Sequence, residues 1–363
     1  MLGASRADTI IDPVLKIGPF QFDFPVVQAA LSGYSDAAMR LIARRMGAPY
    51  TLHEVMLDKS IIHSPKVRHK LLGPLFPEDH PIAGQLMGAE PSQFAAAAAL
   101  LVEEGYDVVD INFGCPVKKV LGRCRGGFLL SEPETAIEIL RAVRDAVPRH
   151  VPVTLKMRRG MDDAPESESN FFHIFDTAFE LGLAAITVHG RTVRQRYIGR
   201  SDWDFLARVK RHAGDRTVLG SGDLFTAYDI QRMLEHTGLD GVTVARGCIG
   251  NPWIFRDARA LLAGQPLSEP PSVAQQGELI RAHFDLEVAV HGAVLAPRIM
   301  RKFGIKYAEV HPFPKDVRAA FVSVATREHW DAVLALWYDP QRDWPPGRRK
   351  VGPGGLVAAG ATL

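Results

Sequence analysis

The sequence is poor in cysteine, with three in 363 residues. So few thiols, and an odd number of them, exclude a disulfide framework and fit a reducing compartment where a thiol stays free. Charge of one sign is not in excess either. Lys and Arg number 43 against 41 Asp and Glu, a formal net charge of +2, which neither announces nor excludes a nucleic-acid binder. No apolar run is long enough to cross a bilayer, and the N-terminus has no basic stretch leading into an apolar one. The alanine-rich "QFAAAAALLVEEGY" carries acids and reads as an ordinary helix. These absences lead to the expectation of a cytoplasmic protein without membrane association, monomeric, with no obligate protein partner and no metal ligands. The sequence is rich in apolar residues: 47% are hydrophobic, enough for a large core.

Short β-branched runs alternate with longer helical patterns. Eight apolar strand segments can be counted, at 25–30, 50–56, 82–88, 107–114, 151–157, 184–190, 216–224 and 241–247. The helical patterns between them mostly open on Ser, Thr or Pro, and several close on Gly, as helix ends require. Continuous apolar strands separated by helices indicate a parallel sheet covered on both faces. Eight such units are the count of a (β/α)8 TIM barrel. A doubly wound open sheet shares the alternation and is the rival. The barrel is preferred because polar residues recur at the C-terminal ends of nearly all the strands, and a barrel gathers those ends around one centre. The break "QPLSEPPS", 265–272, ends the alternation. A catalytic barrel over 1–265 is therefore expected, then a small all-helical domain over 270–340, then a Gly- and Pro-rich disordered end over 341–363.

The strand ends carry the chemistry. The third strand presents Gln85, the fourth Asn112 and Cys115, the fifth Lys156 and Arg158, the sixth His189, Gly190 and Arg191, the seventh Ser221, Gly222 and Asp223, and the eighth Arg246 and Gly247. Any one of them could be a satisfied polar terminus of a buried strand. Convergence from six strands argues for a site, since this rim is where barrels build them. "GSGDL" and "VARGCIGNPW" stand where many barrels hold a phosphate, although glycine turns also simply connect elements. A phosphate there, with Lys156 and His189 deeper in the mouth, suggests flavin mononucleotide (FMN). Gln85 would then hydrogen-bond the polar edge of the ring, and Lys156 would offset negative charge on it.

In "DINFGCPVKKV" a buried strand stops at Asn112, Gly114 turns the backbone and Pro116 stiffens the chain beyond the turn. Cys115 is thereby held at the rim rather than packed inside. A thiol in ordinary surroundings keeps its proton near neutrality and can donate it. Hydride delivered to one carbon of a polarised double bond needs a proton at the neighbouring carbon, which Cys115 is placed to give. Cys248 suits a buried inert thiol better, and Cys124 reads as a loop thiol.

Taken together, "DINFGCPVKKV", "GGFLLSEP", "LKMRRG", "TVHGRTVRQRYIGRSDW", "GSGDL" and "ARGCIGNPWIF" resemble bacterial tRNA-dihydrouridine synthases, and "GCPVKKV" and "HGRT" resemble the B-type subgroup. The likeness extends through "RIMRKFGIKY". It implies that NADPH reduces FMN and that the flavin reduces the C5–C6 bond of a uridine in folded tRNA, with Cys115 protonating C5. It implies flavin contacts at Gln85, Lys156, His189, Ser221, Gly222, Asp223, Arg246 and Gly247, and a uracil site lined by Asn112 and Arg158. NADPH rests on the resemblance alone, since the sequence shows no clear fingerprint for it. Two positions depart from the family pattern. "ALSGYSD" replaces a Pro-Met-Ala-Gly form, so Ala30, Leu31 and Ser32 would meet FMN through backbone. Ser221 replaces an Asn, with a shorter reach for any hydrogen bond.

Arg298, Arg301 and Lys302 recur at helical spacing, with Lys306 a turn further on, beside Ile299, Met300 and Phe303, which would pack inward. Spacing alone allows a solvated helix face. With the resemblance the stripe becomes a phosphate-backbone contact for tRNA. Arg123, Arg125, Arg191, Arg194 and Arg196 would extend it over the barrel mouth, and the uridine would leave its stack to enter. Two other readings share parts of the pattern: an FMN-dependent reductase of a free pyrimidine or small enone, which has no need of the helical domain, and a non-catalytic RNA-binding barrel, which binds no flavin.

Overall fold

Eight short parallel strands close on themselves in the computed structural model, which describes residues 15–352. A hairpin of β1 (Leu15–Ile17) and β2 (Phe20–Phe22) comes first. The barrel strands are β3 (Val26–Gln28), β4 (Thr51–Leu57), β5 (Ile82–Met87), β6 (Val108–Phe113), β7 (Val153–Arg158), β8 (Ala185–His189), β9 (Val218–Ser221) and β10 (Gly241–Val244). Each pairs with the next, and β10 closes the ring against β3 with Val242 opposite Val26. The (β/α)8 barrel expected from the alternation is thus the fold, and the open-sheet rival is excluded by that closing pair.

The strands are apolar on both faces because both are buried. Ile82, Val109, Ile111, Leu155, Ile186 and Val242 pack outward under the helices in the main core. Val27, Leu52, Ala83, Val108, Ala185 and Leu219 fill the interior at its N-terminal end, where Leu15, Ile17 and Phe22 of the hairpin join them. The hairpin, which the sequence pattern does not announce, thereby plugs the barrel floor, with Phe22 stacked on Tyr50 at 5.4 Å between ring centroids. Burying each such side chain contributes about 1.5–3 kcal/mol.

After the barrel come the helices Val273–His291, Ala296–Tyr307, Pro314–Val322 and Arg327–Trp337. The first begins with a reciprocal cap between Ser272 and Gln275 and packs against the barrel helix Ala37–Arg45. Trp330 is buried against Phe284, ring centroids 4.9 Å apart. Residues 341–352, part of the end expected to be disordered, carry no helix or strand, yet they are tied down. Arg348 N donates to Val310 O at 2.8 Å, and Lys350 Nζ donates to Ile249 O at 2.8 Å and Arg246 O at 3.3 Å. The rest of that end, 353–363, lies outside the described residues, as does the N-terminal stretch expected to lack a leader. No helix among the described residues is long and apolar enough to cross a membrane.

Candidate active site

The register of the barrel decides which side chains meet. Gln85 on β5 pairs with Asp110 on β6, and Asp110 with Thr154 on β7. One layer higher, Asn112 pairs with Lys156, and Lys156 with Thr187 on β8. Higher again, Arg158 pairs with His189, and His189 with Ser221 on β9. Because side chains alternate along a strand, Asp110 and Asn112 share one face, as do Thr154, Lys156 and Arg158. A barrel tilts these pairs into rising layers that end at the mouth.

A buried hydrogen-bonded chain runs through the lowest layers. Thr154 Oγ1 donates to Asp110 Oδ1 at 2.5 Å, and Gln85 Nε2 donates to Asp110 Oδ2 at 2.7 Å. Asn112 Nδ2 donates to Gln85 Oε1 at 2.7 Å, and Gly114 N donates to Asn112 Oδ1 at 2.9 Å. The chain fixes the amide orientation of Gln85 and Asn112 and holds the turn that carries Cys115. Burial pushes the Asp110 carboxyl up, against the hydrogen bonds from Thr154 and Gln85. Sequence reasoning misses Asp110 and Thr154, because they sit inside runs that look merely apolar.

Cys115 is partly exposed just beyond β6, as the sequence predicts for the strand end. The glycine pair after it sets its surroundings. Gly127 N donates to Cys115 O at 3.1 Å. Gly126 has φ +59, and a Cβ there would lie 2.9 Å from Cys115 Cβ, so only glycine lets that loop close under the thiol. Cys124 is exposed and Cys248 buried. Burial pushes the Cys248 thiol up to about 12, as suits an inert packing residue.

Lys156 stands nearby, and burial first, then the charge of Arg158, brings its ammonium down to about 8. His189 is pushed well below its ordinary range by burial and by Lys156, Arg158, Arg191 and Arg246. It is therefore neutral near pH 7. Its Nδ1 accepts from Arg191 N at 3.1 Å, which leaves the ring proton on Nε2 as a donor.

Arg158, expected to line a substrate site, is 3% exposed and bound to backbone. Its Nε donates to Gly114 O at 2.9 Å, and Nη1 donates to Thr192 O at 2.8 Å and Arg196 O at 2.9 Å. It joins the turn bearing Cys115 to the loop after β8. Arg191 does the same for the next turn: its Nη2 donates to the Asp223 carboxylate at 2.7 and 2.8 Å and to Gly199 O at 2.6 Å. Asp223 also accepts from Ser201 N at 2.8 Å, so its carboxylate is engaged and its turn offers backbone. Gly222 has φ +113, and a Cβ there would run into Ser201 Oγ; one on Gly247 would run into Leu224 O.

Arg246 is exposed, its guanidinium 4.8 Å from the Tyr197 ring centroid and 5.0 Å from that of Phe225. Tyr197 is 58% exposed at the mouth, with Arg158 on it as well at 5.9 Å. A lone tyrosine among arginines is the signal available for it in the sequence. Beside Arg246 opens a cleft of about 430 Å³, lined by Tyr34, Phe225, Lys306, Glu309 and Lys350 among others. Ala30, Leu31 and Ser32 come after β3 at the same end, from half-buried to exposed. Arg298 and Arg301 are exposed on the helix Ala296–Tyr307. Lys302 turns the other way: its ammonium donates to Gly33 O and sits 5.2 Å over Tyr34 and 5.0 Å over Phe303.

Known proteins share both the sequence pattern and the fold. Residues 27–335 match the family described as dihydrouridine synthase (Dus). The chain is 35% identical over 326 residues to tRNA-dihydrouridine synthase B of Xanthomonas axonopodis pv. citri, covering 90% of this chain and 95% of that one. It is 34% identical over 332 residues to a probable tRNA-dihydrouridine synthase of Mycobacterium tuberculosis, covering 89% and 84%. Among solved structures it is similar in fold to a 2-naphthoyl-CoA reductase, with TM-score 0.54 at 13% identity over 83% of this chain and 59% of that one. Morphinone reductase in complex with tetrahydroNAD gives TM-score 0.51 at 14% identity over 71% and 91%.

Proposed function

The chain belongs to the dihydrouridine synthase family, and from that premise we propose that it is an FMN-dependent oxidoreductase that reduces the C5–C6 bond of specific uridines in tRNA to 5,6-dihydrouridine, with NADPH as electron donor. The observation that carries the reading is the placing of Cys115, Lys156, His189 and Arg246 on one barrel rim with the Gly222 and Gly247 turns between them.

The residues present fit the cofactor. The turn Ser221–Asp223 and Gly247 present backbone where added Cβ atoms would meet neighbours, and Arg246 supplies positive charge for a phosphate. Gln85, Lys156 and the Nε2–H of His189 suit the polar edge of a flavin ring. Backbone at Ala30, Leu31 and Ser32 would close the site from β3. When bound, FMN supplies the hydride for the uracil ring.

The chain's own groups do the rest. Cys115 donates the proton to C5, from the rim where the Asp110–Gln85–Asn112 chain and Gly127 hold it. Asn112, with one amide proton still free, and Arg158, as the tie between the Cys115 turn and the loop after β8, shape the uracil site. Tyr197 offers a ring for a base turned out of its stack, and Arg298 and Arg301 offer charge to the tRNA backbone.

The test is to incubate the purified chain with FMN, NADPH and an unmodified tRNA transcript and to map dihydrouridine. Reduction at discrete positions is expected. Equal turnover of free uridine would favour a small-enone reductase instead, and failure to retain flavin would leave only an RNA binder.

A further inference from the structure

A second cluster lies just past the loop that follows β3, where the helix Val273–His291 meets the start of Ala37–Arg45. His283, Glu287 and His291 recur every fourth residue, so the helical period lines them along one face. Asp36, the N-cap of the barrel helix, faces them. His291 Nε2 lies 3.3 Å from Asp36 Oδ2 and 3.5 Å from Glu287 Oε2, and His283 Nε2 lies 3.6 Å from Glu287 Oε1. One donor atom each from Asp36, Glu287 and His291 falls within 4.8 Å of the others. Ligands around a tetrahedral ion at about 2.0–2.2 Å stand roughly 3.3–3.6 Å from one another, which matches the separations of His291 from Asp36 and from Glu287, while His283 approaches Glu287 alone.

An independent observation points to a ligand. Glu287 is fully buried, and among the described residues no donor meets either carboxylate oxygen in hydrogen-bond geometry. His283 is 1% exposed, and its Nε2 is likewise unpartnered while its Nδ1 contacts the Tyr307 hydroxyl at 2.9 Å. Buried polar atoms are ordinarily paired, so two open acceptors on Glu287 call for a cation. Asp36 divides its oxygens: Oδ1 accepts from Met39 N at 3.1 Å as the helix cap, and Oδ2 faces the cluster. Two carboxylates balance a divalent cation. The nearby Lys302 is directed elsewhere, onto Gly33 O and the rings of Tyr34 and Phe303. Without an ion, burial pushes the Glu287 carboxyl up, and the nearby Asp36 adds to the effect.

We propose that Asp36, Glu287 and His291 form a structural divalent-cation site of the zinc type, with a solvent molecule as fourth ligand and His283 beside Glu287 at its edge, fastening the C-terminal helices to the barrel. One imidazole and two carboxylates supply three corners of a tetrahedral site and leave the fourth to water. His291, 32% exposed, gives the ion a route from solvent. The sequence suggests no metal because Asp36 comes from a helix start about 250 residues before His291, and only the fold brings it near.

The test uses the full-length chain, stripped with a chelator, dialysed and titrated with cobalt(II) and zinc(II). One ion per chain, intense tetrahedral cobalt bands in the visible and a raised Tm are expected. Glu287→Gln, which keeps the side-chain shape, and His291→Ala should each lose the bands and the Tm rise while retaining the native circular dichroism spectrum. Weak octahedral bands in the wild type, less than stoichiometric retention, or undiminished binding by a folded Glu287→Gln would each overturn the site and leave a proton-sharing acid pair.

Discussion

Lys156 is the residue whose charge state sets how the rim meets an anionic or electron-rich ligand. Its folded value of about 8 lies below the ordinary lysine range because burial and Arg158 oppose the charge. Below about 8 it is an ammonium, and above it an amine. If that charge holds the flavin edge, the FMN dissociation constant should be flat below pH 8 and climb by up to about tenfold per pH unit above it. In Lys156→Arg the rise should vanish from the accessible range; its persistence would remove Lys156 as the cause. The same depression makes the folded state bear a cost for the charge at low pH, a penalty relieved as pH rises from 8 toward the unfolded value. Asp110→Ala would leave the Thr154 hydroxyl and a Gln85 amide proton without their buried acceptor, at about 1–3 kcal/mol each. A Tm several degrees lower and weaker FMN binding should result, measured by thermal melt and fluorescence titration.

Among the elements, the loop after β8 carries no helix or strand before Trp203, and the guanidiniums of Arg158 and Arg191 tie its backbone carbonyls alongside bonds to the loop after β7. Arg191→Ala would release Gly199 O and leave the Asp223 carboxylate without its cation, beside the turn proposed to hold the phosphate. FMN affinity should fall by about 10- to 100-fold, matching the roughly 1.5–3 kcal/mol of a charged hydrogen bond; equal affinity would separate that turn from the cofactor. The hairpin makes the opposite case. Phe22→Ala should cost about 3–5 kcal/mol in denaturant unfolding yet leave FMN affinity unchanged, because it plugs the far end of the barrel. The barrel strands are legible in the sequence because both faces of each are buried, which writes them as continuous apolar runs. The hairpin is not, since three-residue strands in "LKIGPFQF" carry no period to read. At the rim, residue types and strand ends suffice to gather Cys115, Lys156, His189 and Arg246. They do not reveal that Arg158 and Lys302 face backbone carbonyls, because those partners come from other loops and every residue type carries the same carbonyl. Asp110 escapes for a related reason: a buried acid inside a strand is distinguished only by its partners.

Across the whole molecule, charge is nearly balanced, so tRNA must be engaged by local groups rather than by a general field. Arg298 and Arg301, exposed on the helix Ala296–Tyr307, are the members of the basic stripe without an ion-pair partner among the described residues, whereas Lys302 is tied to Gly33 and Lys306 to Glu309. Changing both arginines to Glu should weaken tRNA binding, most at low salt, and flatten the salt dependence by about one unit of slope per lost contact, with flavin content untouched. Unaltered binding would return the stripe to an ordinary solvated face. The central claim is narrower: the thiol fixed between Gly114 and Pro116 hands the proton to the base. It is tested most directly by mass analysis of an unmodified tRNA transcript after reaction with NADPH and FMN-loaded protein, wild type against Cys115→Ala. The wild type should add the mass of a hydrogen molecule at discrete uridines, while Cys115→Ala keeps its flavin, still oxidises NADPH and leaves the RNA almost unreduced. Equal reduction by the two proteins would contradict the account.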